Sequence, residues 1–76
     1  MNENAKNRAI LLQALYEARE AYPSKGWKVE HELRGLVAEP AFPLEILKEQ
    51  GYIEARNPGY RITAKGVLAF EAAEQA

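Results

Sequence analysis

The order of apolar and polar residues predicts an opening amphipathic helix. Between residues 7 and 22 the apolar side chains recur at every third or fourth position, which places them on one broad helical face. They are Ile10, Leu11, Ala14, Leu15, Ala18, Ala21 and Tyr22. Pro23 ends the pattern, and the following Ser24-Lys25-Gly26 is typical of a turn. This face is expected to form one side of the core.

Two shorter helices are predicted next, separated by a proline-containing connector at residues 39–43. The second is expected over residues 29–38, with an apolar face formed by Val29, Leu33, Leu36 and Val37. Just before it, Trp27-Lys28-Val29 fits either a very short strand or the lead into the helix, and in both cases Trp27 is expected in the core. The third helix is expected over residues 43–50, with Phe42 before it as a hydrophobic plug. Its buried side would carry Leu44, Ile46 and Leu47.

A helix end, a hairpin and a helix start follow one another between residues 51 and 66. Gly51 stands where the third helix needs a left-handed C-terminal cap, and Tyr52 is placed to pack back on Leu47. Apolar and polar residues alternate over 53–56 and 60–62, and Asn57-Pro58-Gly59 supplies turn residues between these strands. Thr63 can cap a last helix over residues 64–74. The segment therefore predicts a two-stranded ribbon between two helices.

The sequences Leu47-Lys48-Glu49-Gln50-Gly51-Tyr52-Ile53 and Tyr60-Arg61-Ile62-Thr63-Ala64-Lys65-Gly66 stand at the two ends of this segment. Together they resemble the second half of a winged helix-turn-helix domain, particularly in the MarR- and PadR-type regulators of bacteria and archaea. With the neighbouring helices, the resemblance covers nearly the whole chain. It implies an α+β, mostly helical, winged helix-turn-helix fold. The expected parts are a three-helix core, a two-stranded β wing and a C-terminal helix, in one domain that spans residues 1–76.

The resemblance also implies a DNA-binding, transcription-regulator-like function. In such domains the third helix enters the major groove, and the wing lies along the DNA backbone or in the minor groove. In this sequence the groove-facing residues would be Glu45, Lys48 and Glu49, and the wing contacts would be Arg56, Asn57 and Arg61. Lys65, at the start of the last helix, would lie near the same surface. The implied contacts to double-stranded DNA are therefore Lys48, Arg56, Asn57, Arg61 and Lys65.

The distribution of charge favours the wing over the third helix. The net charge is −1, but residues 52–66 carry +2, and residues 27–51 carry −2. Arg56, Arg61 and Lys65 can bridge phosphates, or they can simply keep a solvated ribbon soluble. Glu45 and Glu49 repel phosphates, and they offer base edges only an acceptor, of the kind that pairs with the cytosine amino group. The alternative function is therefore a winged-helix module that binds another protein and does not bind DNA.

The last helix is apolar nearly all round, which suggests association with a second copy. A domain of 76 residues is small enough to gain stability by associating, and the resembled regulators commonly dimerise through their terminal helices. Leu12 and Tyr16 lie outside the main apolar arc of the first helix. With Val67 and Phe70 of the last helix, they form the candidate dimer interface. The alternative is that Phe70 completes the monomer core against the first helix.

The residue inventory argues against an enzyme. The chain has no Asp and no Cys, and it has one Ser, one Thr and one His, so the usual nucleophile, base and orienting group cannot be assembled. His31 lies opposite the apolar face of the second helix and is expected in solvent. We therefore expect no enzymatic activity, no cofactor and no metal site.

The same inventory favours a cytoplasmic protein. Without Cys there is no disulfide framework, and no apolar run approaches the roughly 18 residues of a membrane span. Residues 1–6 are polar and lack the layout of a signal peptide, so they are expected to form a disordered N-terminus.

Overall fold

The first helix, α1, runs from Glu3 to Ala21 in the computed structural model, which describes residues 2–75. It begins earlier than expected because Asn2 caps it: the Asn2 side chain accepts a hydrogen bond of 2.8 Å from the backbone N–H of Ala5. Residues 3–6, expected to be disordered, therefore lie in the first turn of α1, and Met1 is outside the described residues. The periodicity that begins at Ile10 could not show this start.

The second helix is much shorter than the predicted span of residues 29–38. Strand β1 covers Lys28–Val29, and α2 covers only Glu30–Leu33. After Leu33 the backbone tightens, because the N–H groups of Gly35 and Leu36 donate to carbonyls three residues back. This turn carries Val37 into the core and leaves Leu36 54% exposed, so the placement of Leu36 on the buried face was wrong.

The third helix, α3, covers Ala41–Glu49 and begins two residues before the predicted start. Pro43 is tolerated in its first turn, because a helix has no internal acceptor for its first N–H groups. The structure corrects the expectation that Phe42 plugs the core, since its side chain is 57% exposed. The cap at the other end is confirmed: Gly51 has a φ of 81°, and the Tyr52 N–H donates to the Leu47 carbonyl at 3.0 Å.

Strands β2 (Ile53–Arg56) and β3 (Gly59–Ile62) form the predicted hairpin, but Gly59, predicted as a turn residue, is the first residue of β3 and pairs with Arg56. The sheet has a third strand, however, and its order is β1-β3-β2 with antiparallel pairing throughout. Of the two possibilities for Trp27-Lys28-Val29, the structure therefore selects the strand. The two-stranded ribbon of the prediction was incomplete, because pairing between residues about thirty positions apart leaves no local signal.

The last helix, α4, covers Ala64–Gln75, and the predicted cap at its start is confirmed. The Thr63 hydroxyl accepts a hydrogen bond from the Gly66 N–H at 3.0 Å and donates one to the Gly51 carbonyl at 2.6 Å. One side chain thus joins the start of α4 to the cap of α3. This junction holds the base of the hairpin between the two helices.

The four helices and the sheet enclose one apolar core in the described part of the chain, which has an α+β, mostly helical fold. The helices α1, α2 and α3 and the strands β2 and β3 each contribute at least one buried aliphatic side chain to this core. The core consists of Leu11, Leu15, Leu33, Val37, Leu44, Leu47, Ile53 and Ile62. None of the helices within residues 2–75 combines the length and apolar character that a membrane span requires.

Candidate nucleic-acid interface

The outer face of the sheet carries the arginines predicted for the wing. Ile53 and Ile62 are paired across the strands and are buried in the core. Because side chains alternate along a strand, Glu54, Arg56 and Arg61 lie on the opposite, outer face. Of the two faces of the hairpin, only this outer face carries basic side chains from the strands.

Trp27 also packs on this outer face. A Cβ atom at Gly59 would lie 3.6 Å from Cε3 of Trp27, so the indole lies against the backbone of β3. The guanidinium carbons of Arg56 and Arg61 are 5.2 Å and 4.8 Å from the ring centre, within the range of cation–π attraction. We call Trp27, Glu54, Arg56 and Arg61 the Trp27 cluster.

Within the Trp27 cluster, Arg61 is engaged in internal contacts. It donates to Oε2 of Glu54 at 3.1 Å and to the Ser24 carbonyl at 3.3 Å, and only 18% of its side chain is exposed. Its Nε is buried and has no hydrogen-bond partner among residues 2–75. The charge of Arg61 is largely offset by Glu54, so this side chain mainly ties β3 to β2 and to the turn after α1.

Arg56 differs from Arg61 in being exposed. Within the described residues, no carboxylate oxygen lies within 4.0 Å of a guanidinium nitrogen of Arg56. A cation–π contact of an exposed cation such as Arg56 contributes about 0.5–1 kcal/mol, and it orients the guanidinium without using its N–H donors. Asn57 is exposed next to it in the turn, and its peptide bond to Pro58 is cis. Arg56 and Asn57 are therefore the hairpin residues best placed to meet a phosphate.

Lys65 lies at the other end of the hairpin from Arg56. Its Nζ is 5.8 Å from the ring centre of Tyr52, at the junction of α3 and β2. Arg56 is three residues along β2 from Ile53, a distance of about 10 Å. The two cations mark the base and the tip of the hairpin, so they could contact separate phosphates.

The exposed face of α3 does not extend this positive surface. Nζ of Lys48 is 3.2 Å from Oε1 of Glu45, so its charge is shared with a carboxylate. Glu49 follows on the same exposed side. The structure therefore separates the five predicted DNA contacts: Arg56, Asn57 and Lys65 are exposed, Lys48 is paired, and Arg61 is largely buried.

The four residues predicted for a dimer interface come together between α1 and α4 of one chain. The rings of Tyr16 and Phe70 are 4.5 Å apart, and the Tyr16 hydroxyl donates to Oε2 of Glu71 at 2.7 Å. Leu12, Tyr16 and Val67 pack against the core. These contacts are the ones expected if Phe70 completes the monomer. An open groove of about 570 Å³ lies alongside, with Leu68 in its lining, and this side chain is 66% exposed.

The contact between Tyr16 and Glu71 predicts a change in acid–base behaviour. The hydrogen bond to Glu71, followed by burial and by the negative charges of Glu71 and Glu20, raises the pKa of Tyr16 from 10.0 to about 12. The fold therefore favours the neutral phenol. The contribution of Tyr16 to the stability of the folded chain is complete below pH 10 and is lost as the pH rises through about 12.

Replacing Glu71 by Gln is expected to lower the pKa of Tyr16 towards about 10, because the carboxylate is lost. Tyrosinate absorbance would measure the midpoint, and the difference from a Tyr16→Phe variant would isolate this tyrosine from the other three. An unchanged midpoint in Glu71→Gln would show that the contact does not persist in solution.

Comparison of the chain with protein-family models, with curated proteins and with solved structures found no match. Among residues 2–75, no three His, Cys, Asp or Glu side chains come close enough together to hold a metal ion.

The sequence prediction missed the role of Trp27. It was expected in the core, but the structure places it half-buried on the outer face of the sheet. The reason is the register: Lys28 pairs with Tyr60, so Trp27 comes next to Arg61. Only the assignment of residues 27–29 to a strand beside β3 could have indicated this position.

Proposed function

We propose that this protein is a winged helix-turn-helix protein that binds the DNA backbone through its β2–β3 hairpin, as a transcription regulator of the cytoplasm would. The order of three helices, a hairpin and a fourth helix supports this fold, as does the capped junction at Gly51. The observation that carries the function is Arg56, an exposed cation stacked on Trp27 without a carboxylate partner in the described part of the chain.

The proposed contact is made to phosphates and not to bases. Arg56 offers guanidinium donors at the hairpin tip, Asn57 offers an amide beside it, and Lys65 offers an ammonium group at the hairpin base. Phosphate contacts of this kind fix position but carry no sequence information. With two cations involved, the logarithm of affinity should fall with the logarithm of salt concentration at a slope of about −2. The proposed binding is weak and sensitive to salt.

Replacing Arg56 by Ala is expected to weaken binding to mixed-sequence duplex DNA and to flatten this salt slope by about 0.9, the value for one lost phosphate contact. Amide shifts followed residue by residue, at about 50 mM and about 200 mM salt, would give both affinity and footprint. Because Arg56 is exposed, its loss should change the free energy of unfolding by less than about 1 kcal/mol.

Lys6→Ala is the matched control, since it removes one exposed positive charge from α1, away from the hairpin. Arg61→Ala is a poorer test, because it would also leave Glu54 without its ion-pair partner. Equal effects of Arg56→Ala and Lys6→Ala would show a general charge effect. No amide shifts at the lower salt concentration would refute DNA binding.

We further propose that the protein forms a homodimer through Leu12, Tyr16, Val67 and Phe70. The support from the structure is Leu68, the one large apolar side chain that α4 leaves mostly exposed among residues 64–75. A second copy that covered Leu68 would extend the apolar contact already formed between α1 and α4.

A further inference from the structure

The exposed face of α3 combines a large apolar side chain with acidic ones. Phe42 is 57% exposed, and Glu45 and Glu49 follow it one and two helical turns later. Residues separated by three, four or seven positions share one side of a helix, so the three side chains form a single stripe. Pro43, Leu44 and Leu47 occupy the buried side.

The charge around this stripe is negative. Glu45 has Lys48 as its ion-pair partner. Glu39 and Glu49, in contrast, have no cation within 4.0 Å among residues 2–75. The segment from Glu30 to Gln50 holds five Glu against Arg34 and Lys48. A surface of this sign repels nucleic acid and attracts a cation-bearing partner.

A groove beside Phe42 extends this surface. It measures about 580 Å³ and lies between the start of α1, the helix α2 and the start of α3. Its lining includes Asn4, Asn7, Arg34, Glu39 and Phe42. Arg34 forms an ion pair with Glu30 at 2.7 Å. Among the described residues that line the groove, the charged group left without an ion pair is therefore the carboxylate of Glu39. An aromatic side chain surrounded by polar groups is the usual composition of a protein-binding surface.

We propose that this face of α3, together with the adjacent groove, docks a basic amphipathic helical segment of another protein. Apolar side chains of the segment would cover Phe42, and its Lys or Arg side chains would pair with Glu39 and Glu49. The nine residues of α3 extend about 13 Å, so they suit a segment of two to three helical turns. The proposal does not depend on DNA binding, because it uses none of the hairpin residues.

The probe for this site is a synthetic 14-residue helix composed of Leu and Lys in an amphipathic order. Its length of roughly four turns includes the two to three turns of the proposed contact. A peptide with Glu in place of Lys is its matched control. The Leu/Lys peptide is expected to shift the amide signals of residues 39–50, and the Leu/Glu peptide is expected to shift none. Phe42→Ala should weaken binding by about tenfold, as for a central aromatic contact.

Charge controls separate a docking site from general attraction to a basic peptide. Glu49→Lys and Glu74→Lys change the net charge equally, but Glu74 is an exposed residue of α4 outside the proposed site. We expect Glu49→Lys to weaken binding by about tenfold and Glu74→Lys to leave it within about twofold. The replaced side chains are exposed, and the amide signals of the core leucines would confirm that each variant is folded.

Several results would overturn the proposal. Equal weakening by Glu49→Lys and Glu74→Lys would show a nonspecific charge effect. Peptide-induced shifts confined to the hairpin or to α4 would place the contact elsewhere, and shifts at residues 39–50 with duplex DNA would assign the face to nucleic acid. Concentration-dependent shifts there without peptide would assign it to a second copy. The proposal would also be refuted if the peptide did not bind at a concentration of about 1 mM, at which even a very weak affinity is detected.

Discussion

Replacing Gly66 by Ala is expected to lower the free energy of unfolding by about 3 kcal/mol. A Cβ atom at this position would overlap the carbonyl oxygen of Tyr52 and would lie 2.7 Å from Cγ1 of Ile62. The Tyr52 carbonyl cannot easily move, because it accepts a hydrogen bond of 2.8 Å from the Thr63 N–H. The start of α4 and the base of the hairpin would have to separate. Urea unfolding followed by circular dichroism would measure the loss.

Gly35→Ala provides the matched control for this prediction. A Cβ atom at Gly35 would meet nothing closer than the Glu32 carbonyl oxygen at 3.4 Å, and its φ is not positive. We expect this substitution to change the stability by no more than about 1 kcal/mol, in the stabilising direction if the neighbour adjusts. If Gly66→Ala proved as mild as Gly35→Ala, the close approach of α4 to Tyr52 would be incorrect.

Replacing Leu15 by Ala is expected to cost about 2–5 kcal/mol, the range for a buried leucine that leaves a cavity. Leu15 is completely buried in α1, the helix that contacts α3, β3 and α4. A domain of 76 residues has a total stability of roughly 4–11 kcal/mol. The variant should therefore unfold at a much lower urea concentration than the unsubstituted chain.

Leu68→Ala removes the same atoms from a side chain that is 66% exposed. In a monomer it should change the free energy of unfolding by less than about 0.5 kcal/mol. A larger loss that grew with protein concentration would instead indicate the proposed dimer, because association stabilises the folded chain by mass action. Similar losses for Leu15→Ala and Leu68→Ala in dilute protein would contradict the core as described.

The two proposed binding surfaces have different signs and lie on different elements. Among residues 2–75, the hairpin presents Arg56 as a cation without an ion pair, whereas α3 presents Phe42 with carboxylates nearby that have no ion pair. In regulators with the fold that we propose for this protein, both elements contact DNA. In this protein their charges favour different partners, so the titrations with duplex DNA and with the basic peptide can succeed or fail independently.

Local signals in the sequence were sufficient for most element boundaries around the hairpin. Gly51 was predicted as a left-handed cap because few other residues adopt a positive φ without strain, and its φ of 81° confirms this. Thr63 was predicted as a helix cap, and its hydroxyl accepts the Gly66 N–H. Asn57-Pro58-Gly59 was predicted as the turn of the hairpin; Asn57 and Pro58 form it, whereas Gly59 is the first residue of β3. Each of these features depends on the conformation of a few consecutive residues.

Signals that depend on distant residues were weaker. The length of α2 was overestimated, because the apolar spacing of Leu33, Leu36 and Val37 fits a helix as well as the tighter turn that is observed. The exposure of Phe42 was not predicted, since whether an aromatic side chain enters the core depends on the space left between α1, α2 and α3. The early start of α1 was missed although Asn2 is a strong capping residue.

By itself, the sequence determined the mostly helical α+β fold class, the hairpin with its two caps, and the set of charged side chains available for binding. Only the tertiary structure decided which of those charges are free. Arg56 and Arg61 are equivalent in the sequence, yet the pairing of β1 with β3 brings Trp27 next to both, and the pairing of β2 with β3 sets Glu54 beside Arg61 alone. The physical reason is that an ion pair depends on distances of a few ångströms, and these distances are set by how the strands pair.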